Sequence, residues 1–396
     1  MNRNKGETVM IYLDHAATTA VHPEVMKEMI PYFGELYANP SGVYEFSEDV
    51  QEILRRVRQK IADSIHAEPD EIYFTCGGTE SDNWALIGLA EGLQEKGRHI
   101  ITSCIEHHAV LRTCEYLETR GYEVTYLPVD GEGKISVRQL ERSIRPDTIL
   151  ISIMFANNEI GTIQPVAKIG QIARRHHVFF HTDAVQAYLH EKIDVRKMQI
   201  DLMSVSSHKF QGPKGVGFLF VRREVSLPSF MHGGSQERRR RAGTENVAGI
   251  VGMGKAVAVG ERMFQENHSH LRKMRDYLIK RILEDIPYCR INGSQKERLD
   301  GNVNVSFQFL EGESLIILLD MEGICVSGGS ACASSEHTIS HVLQGIGLPE
   351  EIARGTIRIT LGAENTMEEM EYFIKRLIPL VSQLREFSDE YQKVKG

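Results

Sequence analysis

The sequence predicts an α/β protein, with a large unit built on a mostly parallel sheet and a smaller α+β unit joined to it. Three observations carry that expectation. Short, nearly continuous apolar runs alternate with amphipathic helical stretches between about residues 70 and 222, as in a parallel sheet covered on both faces. After Glu245 the texture changes to long helical segments separated by strand-like NVNVSF and TIRITLG. At 396 residues the chain is also too long for one small core, so two lobes are the default.

The strands expected in the first unit are Glu71–Thr75, His99–Glu106, Glu123–Val129, Thr148–Ala156, Val178–Asp183, Asp201–Ser206 and Gly215–Val221. Between them lie helical patterns such as Ser81–Gln94, with Leu86, Leu89, Ala90 and Leu93 at helical spacing. Ligands of such sheets sit beyond the carboxyl ends of the strands. In the second unit, helices are expected over 245–264, 265–285 and 366–390, with strands at Asn302–Phe307 and Thr356–Gly362. The segment Ile11–Thr19 is too short to form its own unit and is expected to join the second. No internal repeat or low-complexity tract is visible.

Composition narrows the class. Hydrophobic residues at 41% and charged residues at 25% are ordinary for a globular protein. A formal net charge of -8 argues against a general binder of nucleic acid or anionic membrane. No apolar run approaches the length of a membrane span, and the polar start MNRNKGETV lacks the apolar core of a signal peptide. The six cysteines, at 76, 104, 114, 289, 325 and 332, form no C-x-x-C pair and resemble neither a zinc site nor a disulfide framework. Five are expected to be buried and inert; Cys332 alone is flanked on both sides by Gly, Ser and Ala. A cytoplasmic, reducing location is expected.

Several motifs point to chemistry. TCGGTE, Thr75–Glu80, follows a strand and opens a helix, so Gly77 and Gly78 let backbone approach a ligand and the helix N-terminus offers N–H groups to a phosphate. An ordinary turn with Thr79 as N-cap is the plainer reading of that motif alone. Asp183 closes the run FFHTD at the mouth of a buried strand, where an acid can pair with a protonated pyridine nitrogen or simply cap a helix. Lys209, in SSHKFQGPKG, follows the next apolar run and is placed to form a Schiff base. A phosphate cup, then an acid, then a strand-end lysine is the order of pyridoxal-phosphate enzymes. His107 and His108 start the helix after another strand, where one of them could stack on a cofactor ring and shuttle a proton, or merely cap. Arg358, in TIRITLG, could grip a carboxylate bidentately or sit in a structural ion pair. The arginines of ERRRRAGTEN read as a solvated face or a phosphate clamp completed by Thr244, more than as a nucleic-acid patch.

Nearly the whole chain resembles the pyridoxal-phosphate-dependent cysteine desulfurases of the class V aminotransferase group. The matching segments are YLDHAATT, CGGTESDN, EHHAV, NNEIGTIQP, HTDAVQ, SSHKFQGPKGVGFL, RRRAGTENVAGIVG, GGSACASS and IRITLG. Tyr44, Ser47, Arg239 and Ile339 depart from the usual pattern of that family. The resemblance implies fold type I of the pyridoxal-phosphate transferases. It implies a large cofactor-binding domain over 22–261, and a small domain over 1–21 and 262–396 that carries the cysteine loop. By it Lys209 is the Schiff-base lysine and Cys332 the sulfur-accepting nucleophile. Gly78, Thr79, Ser206 and His208 would hold the phosphate, with Thr244 supplied by the second subunit of a homodimer. Asp183 would pair with the pyridine nitrogen, Gln186 with the phenolic oxygen, and His107 would stack on the ring. Asn158 and Arg358 would hold the substrate carboxylate.

The implied reaction converts L-cysteine to L-alanine and leaves the sulfur on Cys332 as a persulfide. A sulfur-acceptor protein, such as an iron–sulfur scaffold or a thiolation enzyme, would then take it. Two other readings stand beside this one. An enzyme of the same fold could act on selenocysteine or cysteine sulfinate, with Cys332 less important. A non-catalytic scaffold could retain the cofactor pocket, but it would have no need for Lys209, Asp183 and Cys332 together.

Overall fold

The computed structural model describes residues 10–328 and 339–395. Twelve strands are present among them. In chain order they are β1 (Ile11–Tyr12), β2 (Ile72–Thr75), β3 (His99–Ser103), β4 (Glu123–Leu127), β5 (Thr148–Ser152), β6 (Phe179–Asp183), β7 (Leu202–Ser206), β8 (Gly217–Val221), β9 (Cys289–Ile291), β10 (Asn302–Phe307), β11 (Ile324–Cys325) and β12 (Thr356–Thr360). Seven form one sheet in the order β2-β8-β7-β6-β5-β3-β4. The pairs from β7 to β4 are parallel, and β8 runs antiparallel to both its neighbours. Strands β2, β3, β5, β6 and β7 therefore all point their carboxyl ends at one edge. Strands β3, β5, β7 and β8 are buried at every position, as a sheet covered on both faces requires.

Two expected strands end early. The runs expected to reach Glu106 and Ala156 leave the sheet after Ser103 and Ser152. Beyond that point the Ile153 and Phe155 N–H groups still reach β6, but between β3 and β5 the Glu106 carboxyl takes over, accepting the Met154 N–H at 2.9 Å and the Ser103 hydroxyl at 2.5 Å. A side chain with two acceptor oxygens thus satisfies the backbone and frees the chain to turn into the cleft.

The smaller sheet, β12-β10-β9, is antiparallel. Strands β1 and β11 pair parallel beside it, and Asp14 bridges to Thr360, so the Ile11–Thr19 segment does join this unit. Helices were expected to break near residue 264, but Val247–Asp285 is one continuous helix of 39 residues, about 58 Å long. Its first half buries Ile250, Met253, Ala256 and Val257 in the core of the large sheet. Its second half buries Leu271, Met274, Leu278 and Ile282 against the small sheet. The apolar stripe pauses between them because the helix passes from one core to the other, and that pause had looked like a helix end. Among the described residues no helix is long and apolar enough to cross a membrane.

The arginine-rich turn is more embedded than a solvated face. Glu237 is buried, and its carboxylate takes Arg58 Nη1 at 2.8 Å, Arg58 Nη2 at 2.6 Å and the Phe74 N–H at 2.9 Å. Arg241 pairs with Glu80, and Arg238 lies 4.0 Å from the Tyr73 ring centre. Residues Glu237, Arg238 and Arg239 all have positive φ, so these contacts hold a strained backbone in place. Arg58→Ala would strand the Glu237 carboxylate out of water. The expected cost is about 3–5 kcal/mol, read as a lower urea midpoint. A midpoint unchanged from wild type would mean that Glu237 is not held by this pair.

Candidate active site

The carboxyl ends of β2, β3, β5, β6 and β7 border one cleft of about 650 Å³. At the end of β2 the chain turns through Gly77, whose φ of 150° is costly for any other residue, and enters the helix Gly78–Gly92. A Cβ at Gly78 would lie 2.6 Å from Val185 Cγ2, so backbone closeness there depends on glycine. Gly77, and not Thr79, is the N-cap. Thr79 stands exposed in the first turn, and Ser206 is buried against Gly77. This leaves the first N–H groups of a long helix facing the cleft, an anion site by geometry and dipole.

Lys209 follows β7 on a short turn, Ser207–Lys209. Its amine donates to the carbonyls of Ala16 at 2.6 Å and Ala17 at 2.8 Å. The same segment grips the turn again, since Thr19 Oγ1 donates to the His208 carbonyl at 3.0 Å and the His208 ring meets Thr18 Oγ1 at 3.1 Å. YLDHAATT thus serves as the clamp that aims the lysine. Burial, with Lys209 and Lys214 nearby, pushes the His208 pKa down to about 4, so its ring is neutral at physiological pH.

Asp183 ends β6 and accepts the Val185 N–H at 2.9 Å. Burial raises its pKa, while His107, that N–H and Lys209 pull it back down. His107 is at once a cap and a cleft residue: its Nδ1 accepts the Ala109 N–H at 3.1 Å, which leaves Nε2 to carry the proton of the neutral ring. Burial lowers its pKa and Asp183 opposes that. Gln186 donates to the Ala16 carbonyl at 3.0 Å. Across the cleft Arg358 is 2% exposed, with Nη2 on Asp14 Oδ1 at 2.8 Å and Nη1 on the Asn158 carbonyl at 3.1 Å. Its Nε is buried and, among the described residues, makes no hydrogen bond.

Gly78, Thr79, His107, Asn158, Asp183, Gln186, Ser206, His208, Lys209 and Arg358 all line this one cleft. Thr244 does not; it is exposed beside Asn246, which caps the helix Val247–Asp285. Cys332 lies outside the described residues, as does most of the cysteine segment. The residues that border that segment are nonetheless placed at the cleft. Ser327 and Arg358 exchange backbone hydrogen bonds at 3.1 and 2.7 Å. On the other side Ser340 donates to Glu159 Oε2 at 2.5 Å, and the His341 ring lies 2.9 Å from the Glu106 carbonyl.

A family model described as aminotransferase class-V matches residues 11–373. The chain belongs to the aminotransferase class-V family. It is 52% identical over 382 residues to the cysteine desulfurase IscS of Methanosarcina thermophila, covering 96% of this chain and 94% of that one. A solved NifS-like protein superposes with a TM-score of 0.90 at 38% identity, over 95% of this chain and all of the other. A structure described as SspA in complex with cysteine matches with a TM-score of 0.79 at 40% identity, over 89% and 98% of the two chains.

Within this family member the structure adds residues that sequence reading passed over. Asp14 holds Arg358, and the carbonyls of Ala16 and Ala17 hold Lys209. Asp82 lines the floor of the cleft out of water, and Glu106 and His181 are buried beside it. Asp82 was signalled only by facing inward with Ser81 and Ala85 on an otherwise apolar helix face. Of the five cysteines expected to be buried, only Cys114 is; Cys104, Cys289 and Cys325 are half-buried, and Cys76 is exposed at the cleft, because the turn from β2 through Gly77 carries it off the sheet. Its pKa is pushed up to about 11 by partial burial and by Glu80, so it stays a thiol.

Proposed function

We infer that this protein is a pyridoxal-phosphate-dependent cysteine desulfurase, converting L-cysteine to L-alanine and moving the sulfur to Cys332. The observation that carries the reading is the convergence on one cleft of an aimed lysine, a buried aspartate, a glycine-opened helix N-terminus and an arginine. These residues fit the cofactor. The glycine turn admits a phosphate where a Cβ would clash, Asp183 lies at the strand end beyond it, and Lys209 Nζ is within reach of the same space.

When bound, pyridoxal 5'-phosphate supplies an electrophilic carbon and an electron-withdrawing ring. Gly78, Thr79, Ser206 and His208 would hold its phosphate, Asp183 would set the charge at the ring nitrogen, Gln186 would meet the phenolic oxygen, and His107 would stack on the ring. Asn158 and Arg358 orient the carboxylate of L-cysteine, through the face that Asp14 leaves open on the guanidinium. Lys209, the amine that would hold the cofactor covalently, would take the Cα proton of the substrate. The Cys332 thiolate attacks the substrate sulfur, forming the S–S bond as the Cβ–S bond breaks. His107 moves protons beside that sulfur. Substrate cysteine and the Cys332 thiol thus become alanine and a Cys332 persulfide, with no oxidant required. The family likeness, including relatives named as cysteine desulfurases, supports this assignment over selenocysteine or sulfinate substrates. Comparing alanine release from cysteine and from selenocysteine tests it; turnover with selenocysteine alone would overturn it.

A homodimer is part of the same proposal, with 22–261 and the combined 1–21 and 262–396 as its domains, in the cytoplasm. Thr244 is exposed and off its own cleft, as a residue donated to a partner would be. Ile30, Phe33, Tyr37, Val43 and Tyr44 also stay exposed, an apolar surface suited to a second copy. Mixing Lys209→Ala with Thr244→Ala protein is expected to restore one intact site per mixed dimer, about a quarter of wild-type activity. Proven subunit exchange without recovery would refute the shared site. The acceptor of the sulfur is a protein that reaches the Cys332 segment; its thiolate would attack the outer sulfur and release the Cys332 thiol, so persulfidated enzyme should leave one added sulfur on the acceptor.

A further inference from the structure

Behind Asp183 lies a second buried carboxyl that the mechanism above does not use. Asp82 is 1% exposed and Asp183 6%. A carboxylate oxygen of each lies within 4.8 Å of the other and of a His107 ring nitrogen. Two carboxylates at that separation, both out of water, are costly to ionise together.

Their partners differ. Asp183 accepts the Val185 N–H and faces the His107 ring and the Lys209 amine. Among the described residues Asp82 has no cation of its own beside it: it meets the Ser204 hydroxyl, its Oδ1 lies 3.6 Å from His181 Nε2 without a hydrogen bond, and the nearby His107 ring is shared with Asp183. Both ring nitrogens of His181 are occupied by serine hydroxyls, Ser152 at Nδ1 and Ser204 at Nε2, each at 2.9 Å. Burial pushes the His181 pKa down to about 3, so it supplies no positive charge. The remaining neighbour is Glu106, whose carboxyl burial pushes up to about 8.

We propose that Asp82 carries the proton of this pair and is thereby a positioning residue, keeping Asp183 ionised toward the cofactor's ring nitrogen. Burial and the Asp183 charge both drive the Asp82 carboxyl toward its neutral form. A layer of serines and one neutral histidine can host a carboxylic acid, whose O–H donates to the Ser204 hydroxyl. The inference rests on the cofactor assignment made above.

The test is infrared difference spectroscopy of the holoenzyme, wild type against Asp82→Asn. A carbonyl stretch of a protonated carboxylic acid should be lost in Asp82→Asn, while the band that disappears in Glu106→Gln should persist. Because Asn is neutral and of similar shape, cofactor Kd should stay within about twofold, whereas a required negative charge would loosen it about tenfold or more. An acid band unaffected by Asp82→Asn, or that loosening, would overturn the proposal. Should Asp82→Asn not fold, carboxyl-13C labelling of aspartate should move the acid band in the wild type and Asp82→Ser should abolish it; an unmoved band, or one that survives Asp82→Ser, refutes the proposal. Purified wild type with no visible cofactor absorbance would overturn the cofactor assignment and this inference with it.

Discussion

Lys209→Ala is expected to abolish the visible absorbance of the bound cofactor and to lower alanine production by about 10⁴-fold or more. The amine is held at 2.6 and 2.8 Å by two backbone carbonyls of the Ala16–Ala17 segment, which aim it at the space between Asp183 and the Gly77 turn. Among the described residues the other lysine of the cleft is Lys214, on the loop beyond Gly212. Among the described residues Lys214 has no such carbonyl clamp, so it is not expected to substitute. The phosphate cup does not depend on the lysine, so the variant should still bind cofactor, more weakly and reversibly. The check is a visible spectrum together with single-turnover assay of alanine. Undiminished alanine from pure variant protein would refute the assignment of Lys209.

Cys332→Ser is expected to show the opposite split. Cofactor absorbance should remain, because Lys209 and Asp183 are untouched. Alanine and sulfide production should fall to background, since a hydroxyl cannot accept a sulfur atom. Mass spectrometry after exposure to L-cysteine should show one added sulfur on the wild type and none on the variant. Alanine release near the wild-type rate would mean that Cys332 is not the nucleophile and would favour a selenium- or sulfinate-directed enzyme. The segment ends tied to Arg358 and Glu159 give the expectation its geometry, because they bring the chain on either side of the cysteine segment to the cleft.

Much of this was legible in the sequence. Local patterning is enough to mark parallel strands, because strands buried on both faces are apolar throughout and end where polar residues begin. Asp183 is such an end residue, His107 and Lys209 follow within four residues of the ends of β3 and β7, and the glycine pair after β2 marks a turn that only glycine tolerates. The motif order then named the chemistry. Tertiary structure decided what sequence spacing does not encode. The pairing of Asp14 with Arg358 spans 344 residues, and the grip of Ala16 and Ala17 on Lys209 uses backbone atoms that every residue has. The single helix Val247–Asp285 was misread because two cores bury its two halves, and a one-dimensional apolar period cannot say which core each half faces. Asp82 reads as one more helix polar residue until the fold sets it behind Asp183 out of water. Its protonation is then a matter of distance and desolvation, which only folding creates.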